Sequence, residues 1–261
     1  MSLLYENKIS CAMFLFLEIL YLLLLRTAKI IMSNNHLCDL NECFLCQSCL
    51  KDWIPVIALI KKNITVNRGQ VLFKENDPVT GIFFVASGNL KVHKRWDKEK
   101  EMIIRFAKGG DIVGHLGIGN QSSYPVSATA IDKTLVCYVD MEFFNTSLNV
   151  NHQLSIKMMH FFANELQESE KRMRNLAHMS VRGRVAQALV NLKNQFGLNE
   201  HGIVNIEITR QDLASYSGAV YESLFRTIND FTERDIVTIT GKSIMIKNEA
   251  MLMKLIEEDS L

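Results

Sequence analysis

The chain has 261 residues, 48% hydrophobic and 22% charged, which is enough for two domains with cores of their own. Only 3 Pro and 13 Gly exclude collagenous and low-complexity chains. With 29 Lys and Arg against 28 Asp and Glu, any nucleic-acid surface has to be local, and 6 Cys are too few for a disulfide scaffold of this length.

Cys11 to Leu25 is an apolar run of about 15 residues broken by Glu18, short of the roughly 20 that span a bilayer. No A-x-A-like cleavage site follows, which argues against a signal peptide. Met32 opens the polar stretch MSNNHLC, so residues 1–31 read as an upstream mis-start or dispensable extension. A membrane-associating helix and a packed core helix are the other readings. Cys11 is assigned no role.

Residues 32–55 carry Cys38, Cys43, Cys46 and Cys49 in the pattern C-x4-C-x2-C-x2-C. Such crowding reads as a metal or redox site. Thiolates suit soft metals, and three close cysteines plus a remote one can enclose a four-iron cluster. Zinc held by the four alone and a regulatory disulfide stay open.

From about Ile64 to Val139 the chain breaks into short β-rich runs: ITV, QVLF, IFFVA, NLKVHK, EMIIRF, DIVGH, VSATAI and LVCYV. Asn67-Arg68-Gly69, Asn76-Asp77-Pro78, Ser87-Gly88-Asn89 and Gly109-Gly110-Asp111 punctuate them. This predicts a jelly roll or β-roll over residues 56–147. Beyond Asp140 the period turns helical. In segment 148–179, Ile156, Met159, Ala163, Leu166, Glu170, Met173 and Ala177 recur at 3-4 spacing. They read as a dimerisation seam, with a single buried helix as the alternative. Two facing Glu170 carboxylates would repel, which makes association conditional.

Residues 180–261 carry the most specific pattern. An amphipathic helix over Val181–Phe196 leads to a short strand over Ile203–Ile208. Thr209 is placed to cap a helix over Gln211–Tyr216. Ala214, Gly218 and Leu224 have helix-turn-helix spacing, with Gly218 supplying positive φ in the turn. A second helix over Ala219–Thr232 would present Tyr221, Glu222, Phe225 and Arg226, with Ser223 among them. Asp235–Ile246 forms a hairpin about Thr240-Gly241-Lys242, which makes the motif winged. Arg182, Arg184, Arg210, Arg226, Lys242 and Lys247 are available for phosphates. Arg226 can bond guanine O6 and N7 together, Glu222 can accept from cytosine N4, and Phe225 can touch a thymine methyl.

This succession resembles the Crp/Fnr family of bacterial transcription regulators over about Cys38 to Leu255. GDIVGHLGIG followed by SYPVSATAIDKTLVCYV is similar to the Fnr branch, which senses oxygen through an iron–sulfur cluster. VYESLFRTINDF resembles the family recognition helix, whose Glu and Arg four residues apart are matched by Glu222 and Arg226. The Fnr-type serine before that arginine is Phe225 here, so operator preference is expected to differ at that base. The resemblance implies an α+β fold: an N-terminal β-roll (a double-stranded jelly roll of the cyclic-nucleotide-binding kind), a long dimerisation helix and a C-terminal winged helix-turn-helix. It implies a 4Fe–4S cluster on Cys43, Cys46, Cys49 and the remote Cys137, with Cys38 spare. The short Cys46–Cys49 gap leaves open which three ligate.

The family's cyclic-nucleotide members pair a G-E-L segment with an R-S or R-T pair. Here His115 follows Gly114, and Tyr124-Pro125-Val126 offers no Arg, so cyclic AMP is not expected. The expected partners are palindromic promoter DNA, a second copy of the chain, and RNA polymerase, in the cytoplasm and not at a membrane. A regulator answering to a heme-bound gas (through His115 or His160), a small molecule or thiol oxidation is the alternative. An enzyme is not expected: there is no nucleophile–base constellation, and GGDIVG lacks the Lys-Ser/Thr of a phosphate loop.

Overall fold

A computed structural model describes residues 40–95, 97, 100–119 and 122–259. Cys38, Cys11 and the apolar run of residues 1–31 lie outside the described residues. Two single turns of 3-10 helix, Cys46–Ser48 and Lys51–Trp53, lead into a short helix α1 (Ile54–Ile60) that Pro55 opens in its first turn.

The eight β-rich runs become eight strands: β1 (Lys62–Val66), β2 (Val71–Phe73), β3 (Gly81–Ser87), β4 (Leu90–Arg95), β5 (Glu101–Ala107), β6 (Ile112–Val113), β7 (Ser127–Ala130) and β8 (Thr134–Asp140). They pair antiparallel into two four-stranded sheets, ordered β1-β8-β3-β6 and β2-β7-β4-β5. Phe73, Phe83, Val85, Leu90, Val92, Val113, Tyr124 and Val136 fill the space between the sheets. Gly81 is required by packing: a Cβ there would stand 2.2 Å from the Val139 carbonyl oxygen.

The helical half starts with α2 (Met141–Val150), whose Asp140 cap accepts from the Phe143 amide, and α3 (His152–His178). Asn151 separates them. Then come α4 (Val181–Phe196), α5 (Arg210–Ser217), α6 (Tyr221–Glu233), the hairpin β9 (Val237–Thr240) and β10 (Ser243–Ile246), and α7 (Glu249–Glu258). The sequence reading had no element for α7, which packs Leu252 into the C-terminal core. Among the described residues no helix is long and apolar enough to cross a membrane.

Two sequence expectations need correction. Ile203–Ile208 is not a strand; it makes isolated bridges, Leu198 with Val204 and Ile203 with Met245. The Ile206 amide turns back to the Val204 carbonyl at 2.8 Å, which interrupts any ladder. The second helix of the motif begins at Tyr221 rather than Ala219, because the Ala219 amide is taken by the Ala214 carbonyl in the turn.

Candidate nucleic-acid interface and cysteine centre

The reading head is assembled from local signals. Thr209 and Asp212 form a reciprocal capping box at the start of α5. Gly218 ends that helix at φ +65°, and a Cβ there would meet Leu176 Cδ2 at 2.5 Å. The turn therefore lies against the C-terminal end of α3. Leu213, Ala214, Leu224, Ile228 and Phe231 are buried in the core behind it. That core fixes which face of α6 looks outward. Tyr221, Glu222, Phe225 and Arg226 are exposed on it, and Ser223 is half-buried. Arg226 and Glu222 stand 3.9 Å apart, both more than 80% exposed, so solvent screens the pair and either can leave it for a base edge. Arg210, at the first position of α5, lies over the Phe225 ring at 5.8 Å.

Several cations counted for phosphate binding are otherwise engaged. Arg184 donates to the carbonyls of Met179, Ser217 and Gly218, and so binds the α3–α4 junction to the turn of the motif. Arg182 pairs with Asp230 at 2.7 Å and covers the Phe231 ring. Lys247 pairs with Asp235 at 2.5 Å. Spacing alone could not distinguish these internal ties from free surface charge.

At the other end of the molecule, the structure brings distant cysteines into one apolar cluster. Cys43, Cys46 and Cys137 are buried together with Ile57, Ile82, Phe84, Ile112, Val139, Phe144, Leu154 and Met158, and Cys49 packs at the edge. Cys137 reaches this place from the middle of β8, opposite Asn63 of β1 and Phe84 of β3. None of the four is in a disulfide. Burial, reinforced by the charge of Cys43 and opposed by Lys157, pushes the Cys49 thiol up to about 12. Lys61 Nζ stands 4.0 Å from Cys137 Sγ, which lies 3.5 Å from Asn63 Oδ1. Among the described residues no group of three or more His, Cys, Asp or Glu could hold a metal ion as it stands. The fold thus supplies a shared apolar floor for the sulfurs, not a closed ligand set.

Neutral anchors tie the cysteine segment to the helices. The Leu50 amide donates to Asn151 Oδ1 at 2.8 Å, and Trp53 Nε1 donates to Ser147 Oγ at 3.0 Å. On α3 itself, Leu154 and Met158 face this cluster, whereas Met159, Ala163, Leu166, Glu170, Met173 and Ala177 are exposed and Ile156 is half-buried. Met159, Leu166 and Met173 are each more than 60% exposed.

His115 is not at the surface. It is 2% exposed against Phe161, and burial together with the nearby Arg105 charge lowers its pKa to about 3. Glu165 of α3 approaches both His115 Nε2 at 3.8 Å and Arg105 Nε at 3.9 Å. The sequence reading missed Arg105, whose side chain also bonds the Ile112 carbonyl. His160, by contrast, is exposed.

Comparison with known proteins decides the family. Residues 63–151 match the cyclic nucleotide-binding domain and residues 183–255 the Crp-like helix-turn-helix domain, together more than half of the chain. The chain belongs to the Crp/Fnr family. It is similar to the fumarate and nitrate reduction regulatory protein of Vibrio cholerae, 26% identical over 239 residues, covering 87% of this chain and 94% of that one. The transcriptional activator protein anr of Pseudomonas aeruginosa is 26% identical over 223 residues, covering 82% and 91%. FixK2 from Bradyrhizobium japonicum superposes with a TM-score of 0.67 at 22% identity, covering 75% of this chain and 97% of that one, which shows the shared fold. As a Crp/Fnr protein the chain is a DNA-binding transcription regulator, and the family is one of regulators rather than enzymes.

Proposed function

We propose that this Crp/Fnr regulator senses oxygen through a 4Fe–4S cluster held by Cys43, Cys46, Cys49 and Cys137. The observation that carries the reading is the meeting of Cys43, Cys46 and Cys137, from chain segments far apart in sequence, in one apolar cluster beside the start of α3. The donor set fits the group in kind and number: four soft thiols, apolar walls, and the cations Lys61 and Lys157 near an assembly whose thiolates are negative. When bound, such a cluster supplies an oxygen-labile cross-link between the N-terminal segment and the roll.

The chain's own residues carry the rest. Leu154 and Met158 rest on the cysteine segment, so fixing that segment fixes the rotation of α3. Met159, Ala163, Leu166 and Met173 are then directed at the same residues of a second copy, with Glu170 opposing the union. Pairing sets two α6 helices at the spacing of a palindromic site, where Arg226, Glu222, Phe225 and Tyr221 read bases and Ser223 and Arg210 assist. Loss of the cross-link weakens only the state it had favoured, and the population returns to a weakly binding single chain. RNA polymerase is the expected partner at the promoter, and the cytoplasm is the setting in which these thiols stay reduced. The names of the relatives from Vibrio cholerae and Pseudomonas aeruginosa fit a role in anaerobic regulation.

Cyclic AMP is not the effector in this reading. The pocket lined by Gly114, His115, Tyr124, Pro125 and Val126, which correspond to the segments the family's cyclic-nucleotide members use, presents neutral His115 and an Arg105 already facing Glu165, whose carboxylate would repel an anion.

Strictly anaerobic purification with iron, sulfide and absorbance measurements tests the proposal. The expected result is four iron and four sulfide per chain as a rough count, both lost in Cys137→Ser together with promoter binding. A colourless, iron-free protein that still binds its operator would overturn it.

A further inference from the structure

We propose that Lys157 is the charge-sensitive tie between the cysteine segment and the long helix, and a positioning residue for the iron–sulfur centre. This rests on the iron–sulfur reading above. Lys157 lies in the second turn of α3, between half-buried Ile156 of the outward seam and buried Met158 of the sulfur-bearing cluster. Its Nζ donates to the Phe44 carbonyl at 3.3 Å and to Gln47 Oε1 at 3.0 Å, and stands 4.6 Å from the centre of the Phe44 ring. That ring and Phe161, one turn further along the same helix, meet in a T-shaped contact with centroids 5.3 Å apart. One side chain of α3 therefore grips the backbone, an amide and an aromatic face of the segment that runs from Cys43 to Cys49.

These partners are dipoles and a ring quadrupole, none of them a full negative charge. A centre held through four cysteine sulfurs would bring the full negative charge that these partners lack, against the segment the ammonium already grips. The Leu50–Asn151 and Trp53–Ser147 bonds join neutral groups and would not respond to that charge. Linkage is reciprocal: a centre that holds the cation in place would itself be stabilised by it.

The test uses the full-length protein, purified without oxygen, as wild type, Lys157→Met, Lys157→Gln and Lys157→Arg. Lys157→Met keeps the apolar stem, Lys157→Gln keeps a donor for the Phe44 carbonyl, and both remove the charge. The readouts are the midpoint potential of the visible chromophore, its rate of bleaching in air, and self-association by sedimentation. Both neutral variants are expected to show a more negative potential, several-fold faster bleaching and weaker self-association, with Lys157→Arg close to wild type on all three. A wild-type potential and bleaching rate in Lys157→Gln would overturn the proposal. So would equal losses in Lys157→Arg and Lys157→Met. A wild-type protein without iron or sulfide would remove the iron–sulfur reading itself and this inference with it.

Discussion

The core of the reading head and the cluster beneath the cysteines are built on opposite principles. The first is hydrocarbon throughout: Leu189, Leu192, Leu213, Leu224, Ile228, Phe231, Val237, Ile244 and Leu252 close on one another, and three roll residues, Ile103, Phe106 and Ile131, join them. The second mixes Phe84, Phe144 and Leu154 with three buried thiols and is edged by Lys61 and Lys157. Burial of apolar surface is indifferent to oxygen. The oxidation of thiols is not. Under the proposed function, the constant part of the molecule is the DNA-reading end and the conditional part the cysteine end. Contacts between the roll and the reading head, Lys91 with Asp212 at 2.8 Å and Gln195 with the Phe106 carbonyl at 2.9 Å, place the two in mechanical contact.

The sharpest test of that contrast is Leu224→Ala, which should cost about 2–5 kcal/mol of stability whether or not oxygen is present. Calorimetry or denaturant titration measures it, and a loss seen only in air would break the contrast. Next comes Gly218→Ala, expected to cost about 1–3 kcal/mol because φ is +65° and the new methyl would strike Leu176. An unchanged midpoint for that variant would mean that the turn does not press on α3.

Arg226→Ala should leave folding intact and remove about 1–3 kcal/mol of discrimination at one base pair. Competition binding at fixed salt shows it as relaxed preference at one position; a uniform loss across sequences would make Arg226 a phosphate contact instead.

Acid should weaken the roll through His115. Its folded pKa is about 3 against the ordinary 6.5, so between those values the unfolded chain takes up a proton that the folded chain refuses. Stability is then fully present above about pH 6.5 and falls as pH drops, by at most about 1.4 kcal/mol per pH unit from this group. His115→Leu should flatten that slope, which stability curves across this range would reveal. The smallest effect expected is from Glu170→Leu, which would remove the like-charge pair of the proposed seam and should tighten self-association by no more than roughly tenfold. Sedimentation equilibrium gives the answer, and an unchanged constant would take Glu170 out of the seam.

Much of this was legible in the residue pattern because it depends on short-range rules. Short β-rich runs separated by turn residues marked all eight roll strands, since strand and turn preferences are properties of a few neighbouring residues. The Thr209 cap, the glycine turn and the hairpin about Gly241 follow from φ preferences and orphan amides within a few residues. The tasks of Arg182 and Arg184 were not legible, because each is decided by carbonyls or carboxylates that only the packed helices bring close. Nor was Arg105, whose pocket is made by α3 lying on the roll.

Sequence by itself determined the order of the parts, their periodicities and the soft-ligand chemistry of the cysteines, all of which reside in residue identity and local spacing. Tertiary structure alone decided that Cys137 shares an apolar floor with Cys43 and Cys46, that Lys157 lies across the segment between Cys43 and Cys49, and which cations remain free for DNA. Those are outcomes of long-range packing, where the distance between two side chains is set by every element between them and not by their separation along the chain.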